Sequence, residues 1–231
     1  MKGAKDIGRA MIAATNELYI QRKDWAEERS GKQLQFKASI GSGKATYHQS
    51  DGTNRIKIIY GIEMIQDKLC PEHARTWLTY KELAEFGFCI KDQISPLKLY
   101  THTVLHEFGH LVQVILGARY SRSVHNKEFY QILKKAYRNN VDKQVEAKIL
   151  ASIDNQWLVE KICEPLVMGP LTQRREVRLN QTVRFDFEGI EIVGIVRKKN
   201  PKTCVVESAS CGIYRSFNFR YESLRVQKIF L

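Results

Sequence analysis

Apolar residues recur at helical spacing near the start of the chain. Ile7, Ala10, Met11, Ala14, Leu18 and Trp25 predict one long helix over residues 5–28. Residues 34–40 alternate like a strand and run into Gly41-Ser42-Gly43, which reads as a hairpin turn. A second strand is expected at 45–48, and Asp51-Gly52 is a strong hairpin signal leading into a third at 55–60. Together these predict a small antiparallel sheet beside the first helix. Pro71 opens a helical stretch over 72–86, and Pro96 opens another over 97–116 that Gly117 stops. Further helices are expected at 126–139 and 141–162.

The pattern changes at residues 163–170, where Pro165, Gly169 and Pro170 mark a linker. Beyond it the period is two. Strands are predicted at 183–187, 190–196, 203–206, 213–219 and 224–229, with a basic turn at 197–202. So many short strands in so little chain suggest a small closed barrel of the SH3-like kind. The organisation predicted is therefore an α+β domain over 1–165 and a small β-domain over 172–231.

Composition narrows the class. Of 231 residues, 43% are hydrophobic and 27% charged, which suits a folded globular protein and argues against large-scale disorder. No apolar run approaches the ~18–20 residues that span a bilayer, and the polar N-terminus lacks the apolar core of a secretory signal. The expectation is a cytoplasmic protein with no membrane partner. The cysteines (Cys70, Cys89, Cys163, Cys204, Cys211) are odd in number and never spaced Cys-x-x-Cys. That argues against a disulfide framework or a cysteine zinc ribbon and for mostly buried, reduced thiols.

One pentapeptide carries chemistry. His106-Glu107-Phe108-Gly109-His110 lies inside the apolar helix predicted over 97–116. Histidines four apart share a helix face, which suits two zinc ligands, and a glutamate beside the first can take a proton from an activated water. Placing Glu107 and two histidines among Leu105, Leu111, Val112, Val114 and Ile115 is costly unless something uses them. Catalytic zinc takes three protein ligands and leaves one position open. His125, fifteen residues after His110 and past Gly117, can be brought back to the pair as the third. His102 continues the same face one turn earlier and reads as a cleft or outer residue, because a fourth protein ligand would close the open position. His48 and His73 have no comparable partner and read as ordinary surface or turn histidines.

The combination His106-Glu107-x-x-His110, a loop, then His125-Asn126-x-x-Phe129 resembles the SprT-like metalloproteases, relatives of the Spartan proteases acting on DNA–protein crosslinks. The similarity extends over residues 38–133, with Gly43-Lys44-Ala45-Thr46-Tyr47 and Ile56-Lys57-Ile58 in place of the family's short sheet, and is strongest over 101–133. It implies a zincin-like helical core, Zn2+ bound by His106, His110 and His125, Glu107 as catalytic base, and a protein substrate, often DNA-bound. The chain departs from the family pattern at Phe108 and Gly109, and no cysteine zinc ribbon follows the core.

Charge points to a polyanionic partner. The net charge is +12, and residues 172–231 hold twelve Lys and Arg against six Asp and Glu, half of the excess in about a quarter of the chain. Arg197, Lys198, Lys199 and Lys202 share the predicted basic turn and are the candidate nucleic-acid contacts. Tyr214, Phe217, Phe219 and Tyr221, interleaved with Arg215 and Arg220, are candidate stacking residues for single-stranded or distorted DNA, against the plainer reading that they fill the barrel. Arg119-Tyr120-Ser121-Arg122 borders the expected cleft. Gly41-Ser42-Gly43-Lys44 fails the phosphate-loop pattern, since Ala45 stands where Ser or Thr is needed. The function expected is zinc-dependent hydrolysis of peptide bonds in DNA-associated protein. The alternative is a non-catalytic nucleic-acid-binding protein with a structural or vestigial zinc site.

Overall fold

The computed structural model describes residues 2–50, 54–74, 77, 82, 86, 89–90, 93–119, 124–167, 177–187, 190–200, 203–210, 213–220 and 225–226. It is a mixed α+β structure. The expected first helix is two helices. α1 (Lys2–Ile20) buries Ile7, Ala10, Met11, Ala14 and Leu18, the stripe its spacing predicts. The chain turns at Gln21-Arg22 and restarts as α2 (Lys23–Ser30), closed by Gly31 at φ 66°. The break lets α2 bury Ala26 and set the Glu27 carboxylate to accept from the Leu34 N–H at 3.1 Å. Those are tertiary demands that helical period alone does not carry.

The first sheet is mixed, not antiparallel. β2 (Tyr47–Ser50) does pair antiparallel with β3 (Arg55–Gly61), but β1 (Gln35–Gly41) lies parallel on the other side of β3, giving the order β1-β3-β2. Residues 42–46 therefore do not turn a hairpin. They cross the end of β3, where Gly43 O accepts from Glu63 N at 3.3 Å and Thr46 Oγ1 from Gly61 N at 3.0 Å. The Asp51-Gly52 turn lies outside the described residues. β3 alternates as a half-buried strand should, with Ile56, Ile58 and Tyr60 inside and Arg55 and Lys57 exposed. It leads directly into α3 (Ile62–Asp67), a short helix not expected from the sequence.

Of the helix expected over 72–86, α4 (Pro71–Ala74) is described and most of the remainder lies outside the described residues. α5 (Pro96–Ile115) has Pro at its first turn and ends before Gly117 at φ 65°, within one residue of expectation. It packs against α1, against α6 (Lys127–Arg138), against α7 (Val141–Ala151) and against β2 and β3, so it is covered on most sides. The helix expected over 141–162 is broken: residues 152–155 separate α7 from α8 (Gln156–Cys163). Asn155 caps α8 by accepting from Leu158 N at 3.3 Å, a competing local hydrogen bond that ends one helix and starts the next.

β4 (Cys89–Ile90) pairs with β5 (Gln93–Ile94), and β5 pairs with β6 (Leu166–Val167). Two residues assigned to the linker are thus tied back to the N-terminal part, and residues 168–176 lie outside the described set. Beyond them β7 (Thr182–Phe187), β8 (Ile190–Lys199), β9 (Thr203–Ser210) and β10 (Ile213–Arg220) form an antiparallel meander. β11 (Arg225–Val226) returns to pair with β7, giving β10-β9-β8-β7-β11 around a separate core of Val177, Val183, Phe185, Val196, Cys204 and Val206. No described strand joins β10 to β11, so the described sheet is open where a closed barrel was expected; β11 is two residues long and pairs on one side only. Arg197 to Lys199 are not in a turn. β8 runs on through them, with a bulge between Val196 and Lys198, because Lys198 and Lys199 still pair with Val205 and Cys204. Cys163 is exposed at the end of α8, unlike buried Cys204. Among the described residues no helix is long and apolar enough to cross a membrane.

Gly61 marks the tightest approach in the first sheet. A Cβ there would lie 2.6 Å from the carbonyl oxygens of both Gly43 and Lys44, and these are backbone atoms that cannot swing aside. Gly61→Ala should lower stability by about 2 kcal/mol, roughly 4–8 °C in Tm. Gly43→Ala, whose Cβ meets nothing within 4 Å, should stay within about 0.5 kcal/mol. Thermal unfolding of the two variants checks the crossing.

Candidate metal centre

The centre is built on α5 and on the chain that returns from its end. His106 and His110 lie one turn apart, with ring centroids 4.9 Å from each other. Gly117, in the left-handed conformation, terminates the helix and lets Ala118 N donate to Gln113 O at 2.9 Å, which starts the reversal. The chain comes back to place His125 immediately before Asn126, the N-cap of α6. His125 Nε2 then lies 3.0 Å from His106 Nε2 and 3.2 Å from His110 Nε2. Nitrogens bound tetrahedrally at about 2.0–2.1 Å to one ion are about 3.3 Å apart. Both separations from His125 are thus close to that of shared ligands, the ligand atoms of all three residues lie within 4.8 Å of one another, and this cluster can hold a metal ion.

Hydrogen bonds favour that use. Gln113 is fully buried, and its amide nitrogen donates to Val124 O and to Asn126 Oδ1, each at 2.9 Å. Its Oε1 is therefore the acceptor facing His110 Nδ1, at 3.1 Å. The His110 proton sits on Nδ1, and Nε2 keeps its lone pair toward the centre. Asn126 closes the relay, donating from Nδ2 to Ala118 O at 2.9 Å and accepting from Phe129 N at 2.9 Å. One buried amide thus sets the tautomer of His110 and anchors the residues on both sides of His125. Burial also disfavours the charged imidazolium: it holds His106 well below the ordinary value and brings His110 down to about 4, and His125 is lowered as well. All three present neutral rings at neutral pH, the form a metal binds.

Phe129 supports the rings from α6. Its centroid is 4.4 Å from His110, stacked at 24°, and 4.8 Å from His106 at 66°. Gly109 leaves it room, since a Cβ there would stand 3.3 Å from Phe129 Cε2, a tight contact that would press the ring back by a few tenths of an ångström.

Glu107, next on the helix, is 6% exposed, and its Oε2 has no hydrogen-bond partner among the described residues. Burial pushes its carboxyl up to about 7, opposed by the charges of Lys68 and Arg119. Lys68 is itself buried, donating to Thr103 Oγ1 and, at 3.4 Å, to Leu99 O, and burial brings its ammonium down to about 7 while Glu107 pulls it back up. A carboxyl near 7 is well matched to general-base work at neutral pH.

His102 is not part of the three-nitrogen cluster. Its Nδ1 is 2.9 Å from the Tyr137 hydroxyl, and its Nε2 lies 4.0 Å from Glu82 Oε1. Glu82, His102 and His106 form a second grouping close enough to hold an ion, sharing His106 with the first. Glu82 carried no sequence signal. His73 is exposed and near Asp67, as expected. His48 is not an ordinary surface histidine: it is 6% exposed on β2, its ring centroid is 6.5 Å from that of His110, and Arg119 Nη1 donates to its Nδ1 at 2.6 Å. Sequence spacing could not pair residues so far apart in the chain.

The nucleic-acid candidates lie on the second sheet. Arg197 is exposed but donates to the Glu207 carboxylate at 2.8 Å and to Asn180 Oδ1 at 3.1 Å. Lys199 donates to Val177 O, whereas Lys198 is exposed. Lys202, Tyr221, Tyr120 and Arg122 lie outside the described residues, as do the side chains of Tyr214, Arg215, Phe217, Phe219 and Arg220.

The relay makes a specific prediction. Gln113→Leu keeps the buried volume but frees His110 Nδ1 and unties Val124 and Asn126, so metal affinity of the purified apoprotein should fall by about 10–100-fold. Titration against a chromophoric chelator measures this, and unchanged affinity would show that Gln113 does not organise the centre. Compared with known proteins, the chain matches no family model, no characterised protein and no solved structure, so the chemistry of the centre rests on its own geometry.

Proposed function

We propose that this chain is a zinc-dependent endopeptidase acting on protein associated with nucleic acid. The observation that carries the reading is the convergence of His125 Nε2 on His106 and His110 Nε2 of a helix that also carries the buried Glu107 next to His106. Three neutral nitrogens suit zinc. Bound there, zinc would polarise a peptide carbonyl and make a water acidic enough to attack near neutral pH. Glu107 takes the proton of the attacking water on its carboxylate and returns it to the leaving amine as the C–N bond breaks. Lys68 favours the ionised carboxylate before the attack. Gln113 keeps the His110 lone pair aimed inward, and Phe129 holds both rings of the helix in place.

In this reading α5 and the mixed sheet are a zincin-like core. The β7–β11 sheet, open among the described residues, serves in this reading as an SH3-like module that recruits nucleic acid. Support for recruitment is the net charge of +12, half of it in residues 172–231, and the exposed Lys198. Arg197 and Lys199 already bind within the fold, so they contribute less to that surface than their sequence suggests.

Glu107→Gln tests the mechanism, because it leaves the three imidazoles in place and removes the base. The variant should retain the metal content of the wild type and lose at least about a hundredfold in cleavage rate on an unstructured protein, with or without single-stranded DNA. Undiminished proteolysis in that variant would refute the mechanism.

A further inference from the structure

A groove of about 410 Å³ opens beside the centre, walled by His48, Gln49 and Ser50 of β2 and by Val114, Gly117 and Arg119 at the end of α5. Its charged wall is one-sided. Arg119 makes no ion pair among the described residues, and its one hydrogen bond there goes from Nη1 to His48 Nδ1 at 2.6 Å. A guanidinium can only donate, so His48 Nδ1 is unprotonated and its proton resides on Nε2. That N–H is a second donor, buried and without a hydrogen-bond partner among the described residues. Burying such a donor without an acceptor is costly, and one retained in a native fold calls for an explanation. Burial holds His48 down to about 3, so it stays neutral and acts as a fixed acceptor for Arg119.

We propose that this groove is a specificity subsite for a carboxylate of the polypeptide substrate, bound by Arg119 and oriented by the Arg119–His48 hydrogen bond. Among the described residues, four of the five guanidinium N–H groups remain for a ligand. A planar carboxylate accepts two of them side by side. The volume admits a side chain or a chain end, and His48 in its wall lies with its ring centroid 6.5 Å from that of His110, so a group selected there would sit near the bond to be cut. An acidic side chain and a free C-terminal carboxylate present the same chemistry. The first makes the site an endopeptidase subsite, the second a carboxypeptidase one.

The proposal rests on the peptidase reading, and its test separates the two. Fluorogenic peptides that differ only in Glu, Gln or Lys at the positions flanking the cleaved bond, each with a free or amidated C-terminus, are offered to the wild type, Arg119→Gln and Arg119→Glu. The wild type should prefer Glu to Gln, or the free acid to the amide, by about tenfold in kcat/KM. Arg119→Gln should erase the preference and Arg119→Glu should turn it toward Lys or the amide, with metal content unchanged in both. Which pair of peptides shows the effect tells side chain from chain end. Indifference of the wild type to charge, or a preference that survives in Arg119→Glu, would overturn the subsite. The same peptides are titrated by fluorescence anisotropy into metal-loaded Glu107→Gln protein. Arg119-dependent selectivity there, with no cleavage by the wild type, would uphold the subsite and overturn the peptidase reading.

Discussion

A helix buried on most sides cannot carry ionisable groups unless something compensates their loss of water. α5 lies against helices and sheet and yet holds His102, His106, Glu107 and His110 on successive turns. Much of the surrounding structure follows from how each group is accommodated. His102 meets Tyr137 across from α6, His110 meets Gln113 on its own helix, and the imidazoles stay neutral. Glu107 is accommodated less fully. Its Oε2 has no hydrogen-bond partner among the described residues and its carboxyl is raised to about 7, a residual cost that suits a group kept for proton transfer.

The third nitrogen depends on a loop, and loops seldom hold a side chain accurately without help. Here help comes from one amide. Gln113 reaches from the helix to Val124 and Asn126, on either side of His125, while Asn126 also caps α6. Capping α6, choosing the His110 tautomer and positioning His125 are therefore a single network. Phe129, the residue whose N–H the cap receives, packs its ring on both helix histidines where Gly109 leaves room. The N-terminus of α6 is as much a part of the centre as the motif on α5.

What the sequence made legible was what is local and periodic. The stripe of α1, the limits of α5, the Asn126 start of α6 and the three histidines could all be read from spacing and cap residues. The misreadings share a physical cause: pairings between distant segments have no period. Nothing local distinguishes β1 parallel to β3 from β1 in a hairpin, and nothing in Leu166-Val167 announces a strand that pairs with Gln93-Ile94. His48 lacked a partner in sequence because its partner is Arg119, and Glu82 sits in a stretch with no metal-ligand spacing. Gln113 carries no signal in the sequence, because its three partners, His110, Val124 and Asn126, are fixed only by the fold. Basic residues misled in the opposite direction, since Arg197 and Lys199 spend their donors inside the fold.

If His106, His110 and His125 together hold one metal ion, the metal content of the purified protein after dialysis must depend on all three. The wild type should carry close to one zinc per chain, and folded His125→Ala should carry substoichiometric, readily lost metal. Retention of a full equivalent by His125→Ala, or no metal in the wild type even after zinc is supplied, would show that the three histidines do not share an ion.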